Sequence, residues 1–398
     1  MICKNNYNAR TFSSVSQIPD IVWQQLACDT NLYFHKEYLQ SLENNNTQID
    51  FSYIVLVNKQ QKAIAFATLQ IIGFDVNSIK NDLEKLLRKV TAIARKIRLL
   101  PKEKPLKFLV CGNIFVSGEH GIFIKDGVDK NNTIKQLGKA IQSFASEHKD
   151  KEIAIFILKD FIKNSLFITN ELLDYNYYSI NVEPNMKLEI NKSWNTFDDY
   201  LAALKTKFRV KAKKALHKSD TLHIIDITTK NIDRLLPKMT HLYEKVVSKA
   251  DFNFGDFNLA TYKNLIEKLG DCYILKAYYL EDTMIGFMSG LINGTSLDAH
   301  FVGIDYQYNR EYAVYQRMLY EYIMIAIDKK LKTLNFARTA SEIKSSVGAI
   351  PEDLTVYIRH KKSITNKLLR LFLTNLQPTK FNQKFPFKNI VIPNENNS

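Results

Sequence analysis

Apolar and polar positions alternate along the chain in two runs with a similar plan. Between residues 15 and 44, Ile21, Trp23 and Leu26, then Tyr38, Leu39 and Leu42, recur at helical spacing. Phe51–Asn58 reads as a strand, Lys59–Lys62 as a polar turn and Ala63–Phe74 as the partner strand of a hairpin. Residues 77–99 predict an amphipathic helix, with Ile79, Leu83, Leu86, Val90, Ile93 and Ile97 in one stripe flanked by Lys85, Arg88, Lys89, Arg95, Lys96 and Arg98. Phe108–Phe115 reads as a buried strand, followed by a helix over about 131–148 and a strand Glu152–Leu158. The polar stretch Tyr175–Pro184 marks a seam.

The second run opens with a short strand, Met186–Ile190. Thr196-Phe-Asp-Asp199 has the form of a helix start, and the helix is expected to continue to Ser219. Strand His223–Ile227, helices near 230–250 and 258–269, and a hairpin of Cys272–Leu280 with Met284–Ile292 follow. Leu297–Ile304 is a further strand, Tyr312–Lys330 a long helix, and Thr333–Phe336 and Val356–Arg359 the closing strands. The repeated order suggests an internal duplication.

Composition adds bounds. Of 398 residues, 45% are apolar and 24% charged, an ordinary globular balance that excludes disordered, collagen-like and disulfide-stapled chains. The four cysteines are widely spaced and read as reduced thiols, with no metal-ligand spacing among Cys and His. Met1–Tyr7 lacks the pattern of a secretory signal and no run of apolar residues is long enough to span a bilayer, so a cytoplasmic protein is expected. The net charge of +14 accompanies a general richness in Lys, Asn and Ile, so its clustering says more than its total.

Several segments resemble a known family. Trp194-Asn-Thr-Phe-Asp-Asp-Tyr-Leu201, leading into Lys205-Thr-Lys-Phe-Arg-Val-Lys211, resembles the entry to the second half of FemAB-like and related double-GNAT (Gcn5-related acyltransferase) proteins. Phe301-Val-Gly-Ile-Asp305 with Arg310, Tyr315, Leu319 and Tyr322 resembles their strand-to-helix crossover. Glu342-Ile-Lys344-Ser-Ser-Val-Gly348 and Thr355-Val-Tyr-Ile-Arg-His360 resemble their late segments. The resemblance implies an α/β protein of tandem GNAT-like domains, each a mixed, mostly antiparallel sheet flanked by helices. The domains are expected at 1–180 and 181–360, with a basic apolar tail over 361–398. It implies an N-acyltransferase that moves an acyl group from a thioester to the amine of a lipid-like acceptor, such as a sphingoid-type base, at the inner membrane surface. As the alternative it admits an aminoacyl-tRNA-dependent aminoacyltransferase of cell-wall precursors, or an inactive GNAT pair that only binds. No permanently bound cofactor is expected. Single-domain GNAT enzymes hold the CoA pyrophosphate on a glycine-rich turn. Here that turn is Tyr306-Gln-Tyr-Asn-Arg-Glu-Tyr-Ala313, without glycine. The donor therefore stays open among acyl-CoA, acyl carrier protein and aminoacyl-tRNA.

Acyl transfer to an amine needs a proton acceptor and a donor for the developing oxyanion. Strand periodicity puts Asp298 and His300 on one face, opposite Leu297, Ala299 and Phe301. The pair reads as a base with its orienting carboxylate, or as a core histidine. Glu119 and His120, within the glycine-rich Cys111–Gly121, read as an acid/base pair near a ligand, or as solvated turn residues. Arg310 and Lys344 are candidates to hold a phosphate of the donor, Lys344 alternatively forming a surface ion pair with Glu342. The basic run Lys205–Lys218 holds tRNA, an acidic carrier protein or a lipid headgroup, or is a solvated face. In the tail, Ile364, Leu368, Leu371, Phe372 and Leu376 beside Lys361, Lys362, Lys367 and Arg370 suit an anionic membrane interface, or packing onto the domain.

Overall fold

The computed structural model describes residues 7–74, 106–249, 255–373 and 378–388. The expected basic helix over 77–99 lies outside the described residues. The chain forms two compact units.

The first unit contains the described residues through Glu183 together with Lys249–Leu269 and Asp353–Pro378. Its strands are β1 (Tyr7–Phe12), β2 (Asp50–Asn58), β3 (Ala63–Phe74), β4 (Leu106–Cys111), β5 (Ile122–Ile124) and β6 (Ile153–Ile162). The hairpin β2–β3 forms as its alternation predicts, and β1, absent from the sequence reading, pairs with β2 as an exposed edge. The 130–147 helix buries Ile134, Leu137, Ile141 and Phe144 in a core with Leu56, Leu69, Leu109, Phe156 and Leu158. The 261–269 helix, expected in the second domain, belongs to this unit. Asn46 hydrogen-bonds Thr261 at 3.1 Å and the Phe257 ring packs on Phe115 at 4.9 Å.

The second unit contains Pro184–Ser248, Gly270–Glu352 and the described residues from Thr379. Its strands are β7 (Tyr178–Glu189, entering from the first unit), β8 (Leu222–Asp226), β9 (Tyr273–Leu280), β10 (Thr283–Asn293), β11 (Ser296–Ile304) and β12 (Thr333–Asn335), in sheet order β7-β12-β11-β10-β9-β8. The polar stretch expected as a seam, Tyr175–Pro184, holds the boundary between the units at Glu183–Pro184, and from Tyr178 onward it forms the first half of β7. Helix 314–328 lays Met318, Leu319, Tyr322, Ile323 and Ala326 on the sheet. The helix expected from Thr196 to Ser219 is broken. It starts with a Thr196–Asp199 capping box, ends at Ala203 and restarts at Thr206. At the break the late segment pairs with it: Leu204 bridges Phe387, and Lys205 N–H donates to Pro386 O at 2.7 Å. Gly348, at φ +108, makes room for the Phe387 ring, which a Cβ there would approach to 2.4 Å.

The last strand, β13 (Ile350–His360), returns to the first unit, where Leu354–His360 pairs antiparallel with β6. That unit's sheet order is β1-β2-β3-β4-β6-β13, with β5 against β3. Among the described pairings, β4–β6 in the first unit and β11–β12 in the second are parallel. No helix among the described residues is long and apolar enough to cross a membrane.

Candidate functional site

In open sheets ligands bind in the crevice beyond the carboxyl ends of parallel strands. Among the described residues each unit has one such parallel pair. In the second unit β11 and β12 pair only through Ser296–Thr333, Leu297–Leu334 and Asp298–Asn335. Beyond Asp298, β11 runs on to Ile304 while the segment after β12 stays with β7, through Phe336 N–H to Met186 O and Met186 N–H to Ala337 O. The two strands part, and His300 follows directly.

On its other edge β11 is bulged. Met288 pairs with Val302 and Gly290 with Ala299, so His300 and Phe301 together face Ser289. Alternation predicted that His300 and Phe301 point to opposite faces. The bulge instead brings their ring centroids to 4.2 Å. The Ser289 hydroxyl fills the bulge, donating to Phe301 O at 2.9 Å and accepting from Phe301 N–H at 3.1 Å. Its oxygen lies 3.2 Å from His300 Nδ1. A hydroxyl has one proton, so with that proton on the Phe301 carbonyl, Nδ1 is the protonated nitrogen and Nε2 carries the lone pair. Tyr322 donates to Ser289 O at 2.6 Å and fixes the strand from the helix side. Burial pushes the His300 pKa down to about 3, so the ring is neutral.

Asp298 accepts from Ser296 Oγ at 3.1 Å and from Asn335 Nδ2, which ties β11 to β12 at the point where they part. Sequence reasoning missed Ser289 and Asn335. The only hint was a small polar residue inside the apolar run of β10.

The glycine-free turn forms a helix of its own, Tyr306–Tyr312. Asp305 caps it and pairs with Lys245 at 2.9 Å. Ala313 then takes a left-handed conformation at φ 49 before the 314–328 helix starts. Arg310 is exposed just ahead of that start, and Lys218 Nζ donates to its carbonyl at 3.0 Å, adding a second cation.

Lys344 does not form the surface pair with Glu342, because Glu342 meets Lys384 at 2.9 Å. Lys344 is buried and donates to the carbonyls of Ala337 and Arg338 at 3.3 and 2.6 Å, in a loop where Ala337, Thr339 and Ala340 hold positive φ. Desolvation pushes its pKa down to about 7. A hollow of about 540 Å³ between Lys211, Glu342, Ile343, Phe381 and Lys384 lies beside this loop.

In the first unit the end of the parallel pair is filled. Lys159 Nζ donates to Asn113 O at 2.9 Å and Val116 O at 2.8 Å, and pairs with Asp160. Asp160 also accepts from Gly118 N–H at 3.2 Å. Glu119 accepts from Ile162 N–H and Ser165 Oγ at 2.7 and 2.8 Å. His120 stacks on Tyr33 at 3.9 Å, and burial beside Lys159 pushes its pKa down to about 3. Among the described residues no group of His, Cys, Asp or Glu is placed to hold a metal ion.

Three neutral histidines, His360 buried and His120 and His300 half-buried, carry a stability consequence. His120 and His300 titrate near 3 and His360 near 4, each lowered first by desolvation. An unfolded chain takes up those protons near pH 6.5, so acidification below about 6.5 favours unfolding by up to about 1.4 kcal/mol per pH unit per histidine. Urea unfolding is expected to show a smaller loss between about pH 7 and 5 for His300→Gln/His360→Gln than for the parent. Equal losses would show that these rings are not the cause.

The fold is the tandem GNAT fold. The chain resembles the crystal structure of FemX over 92% of its own length and 100% of that chain, at a TM-score of 0.52 and 11% identity. It resembles a tandem GNAT protein from the clavulanic acid biosynthesis pathway, solved without AcCoA, over 89% of its length and 99% of that chain, at 0.54 and 7% identity. No family model and no curated protein matches the chain.

Proposed function

We propose that the chain is an N-acyltransferase with its chemistry at the parting of β11 and β12, moving an acyl group from a thioester to the amine of a lipid-like acceptor such as a sphingoid-type base. The carrying observation is the bulge that holds a neutral His300 at this gap, in the strand that leads through the 306–312 helix into the 314–328 helix. The amine nitrogen attacks the thioester carbonyl, its nitrogen–carbon bond forms and the carbon–sulfur bond breaks. The departing amine proton passes to His300 Nε2 and then to the leaving sulfur. A base near 3 does not remove a proton from an ammonium in water. The same desolvation that lowers His300 favours an amine entering neutral, and its nitrogen becomes acidic as the bond forms.

Arg310, with Lys218, is assigned to a phosphate of the donor, CoA or the phosphopantetheine arm of a carrier protein, at the start of the 314–328 helix. Incubation of the protein with a long-chain amine and acyl-CoA or acyl carrier protein is expected to give the N-acyl amide by mass spectrometry. Arg310→Ala should raise the donor KM more than the acceptor KM. An effect on the acceptor alone would place Arg310 elsewhere.

One observation favours a second reading. Lys207, Lys211, Lys214 and Lys218 are all exposed and share one stripe of the 206–218 helix. An aminoacyl-tRNA donor suits such a stripe, and its binding would weaken steeply with salt. Aminoacyl transfer abolished by ribonuclease, with acyl thioesters inert, would replace the first reading by this one.

A further inference from the structure

The late residues of the first unit build a cationic hollow. Between Leu354 and Leu373 the sequence carries Arg359, Lys361, Lys362, Lys367 and Arg370 and no acidic residue. Arg359, Lys367 and Arg370 converge, with Tyr178 and Ser363, on a hollow of about 740 Å³. The Arg359 guanidinium lies 5.9 Å over the Phe156 ring, and its Nε is buried without a hydrogen-bond partner. The carboxylates of Glu171 and Asp174 face Lys135 at 2.6 and 3.8 Å. Among the described residues no ion pair involves Arg359, Lys367 or Arg370.

The helix that carries two of these cations, Ser363–Leu373, is held in place. Asn366 accepts from His360 N–H at 2.7 Å and donates to Asn176 O at 2.8 Å. Its inner side is Asn366 and Leu373, both buried, while Ile364 is 69% exposed, Leu368 38% and Leu371 63%. These three fall at i, i+4 and i+7, one outward stripe beside Lys367 and Arg370. Leu173, 44% exposed, stands at the same hollow as Leu371. An apolar stripe bordered by cations, over a hollow lined with arginines, is complementary to a surface with phosphates above and hydrocarbon below.

We propose that this face of the first unit binds the surface of an anionic bilayer. Arg359, Lys367 and Arg370 hold a lipid phosphate, and Ile364, Leu368 and Leu371 enter the boundary between headgroups and chains. The inference depends on neither donor nor acceptor in the reading above, so vesicle binding and acyl transfer fail separately.

The test is cosedimentation of the full chain with sucrose-loaded vesicles, either phosphatidylglycerol mixed with phosphatidylcholine or phosphatidylcholine alone. Binding to the anionic vesicles is expected, with the partition coefficient falling at least about tenfold in Lys367→Glu/Arg370→Glu. Ile364→Ser/Leu371→Ser, at exposed positions that leave folding intact, should also weaken it. Unchanged unfolding curves keep both readings interpretable. Equal binding to neutral vesicles, no binding to either, or anionic binding indifferent to both variants overturns the proposal. Displacement by millimolar inorganic phosphate to the same extent as by added anionic vesicles also overturns it, making the hollow a site for small free anions.

Discussion

Replacing Lys159 by Met is expected to lower the free energy of unfolding by about 3–5 kcal/mol, the usual cost of removing one partner of a buried ion pair. Lys159 is 5% exposed and Asp160 is fully buried. The ammonium serves three acceptors at once, Asn113 O, Val116 O and the Asp160 carboxylate. Taking it away leaves a carboxylate in a low-dielectric site and two carbonyls without their donor. The local backbone offers little relief, since Asp160 already sits at φ +70 and Gly112 at φ +144. The double variant Lys159→Met/Asp160→Asn should recover part of the loss, because the charge left behind is what costs most. Urea unfolding of the parent, the single and the double variant measures this directly. A single-variant loss under about 1 kcal/mol, or a double variant less stable than the single, would mean that the pair contributes little net stability.

That pair marks the limit of what is legible along the chain. The apolar run predicts a strand over Glu152–Leu158. The strand instead continues to Ile162, because a bulge at Lys159–Asp160 turns both charges onto each other and onto the 113–118 loop. Local features fared better. The hairpins β2–β3 and β9–β10, the Thr196 capping box and the long helix after β11 all depend on neighbours a few residues apart. What escaped depends on distant partners. β13 joins β6 across the length of the chain, and the 197–218 helix is broken by a segment that follows it far downstream. β1 carries mostly exposed side chains and is held through its backbone, so no apolar period announces it. At the candidate site, the place of His300 in a strand was legible. Its neighbour was not: the register of β10 against β11, rather than the period of either, puts Ser289 at Nδ1.

Replacing His300 by Ala is expected to lower kcat for acylation of a long-chain amine by about 100-fold, the ordinary scale of one positioned proton acceptor. On the proposed reading the imidazole, where β11 leaves β12, takes the proton at Nε2, with the Ser289 hydroxyl 3.2 Å from Nδ1. Ser289→Ala should therefore cost less than losing the ring but act on the same step, lowering kcat with little change in either KM. Asp298→Asn is expected to act differently. Its carboxylate receives Ser296 and Asn335, so the change loosens the junction of β11 and β12 and lowers stability together with rate. Because His300 is neutral throughout the working range, the rate should rise with pH as the free amine fraction of the acceptor rises, without a step near 6.5. Steady-state kinetics of the parent and three variants, with circular dichroism as folding control, separate these roles. A folded His300→Ala protein with near-parental kcat would make the ring a filler of the bulge, and the proton acceptor would then have to be sought among the groups at the start of the 314–328 helix.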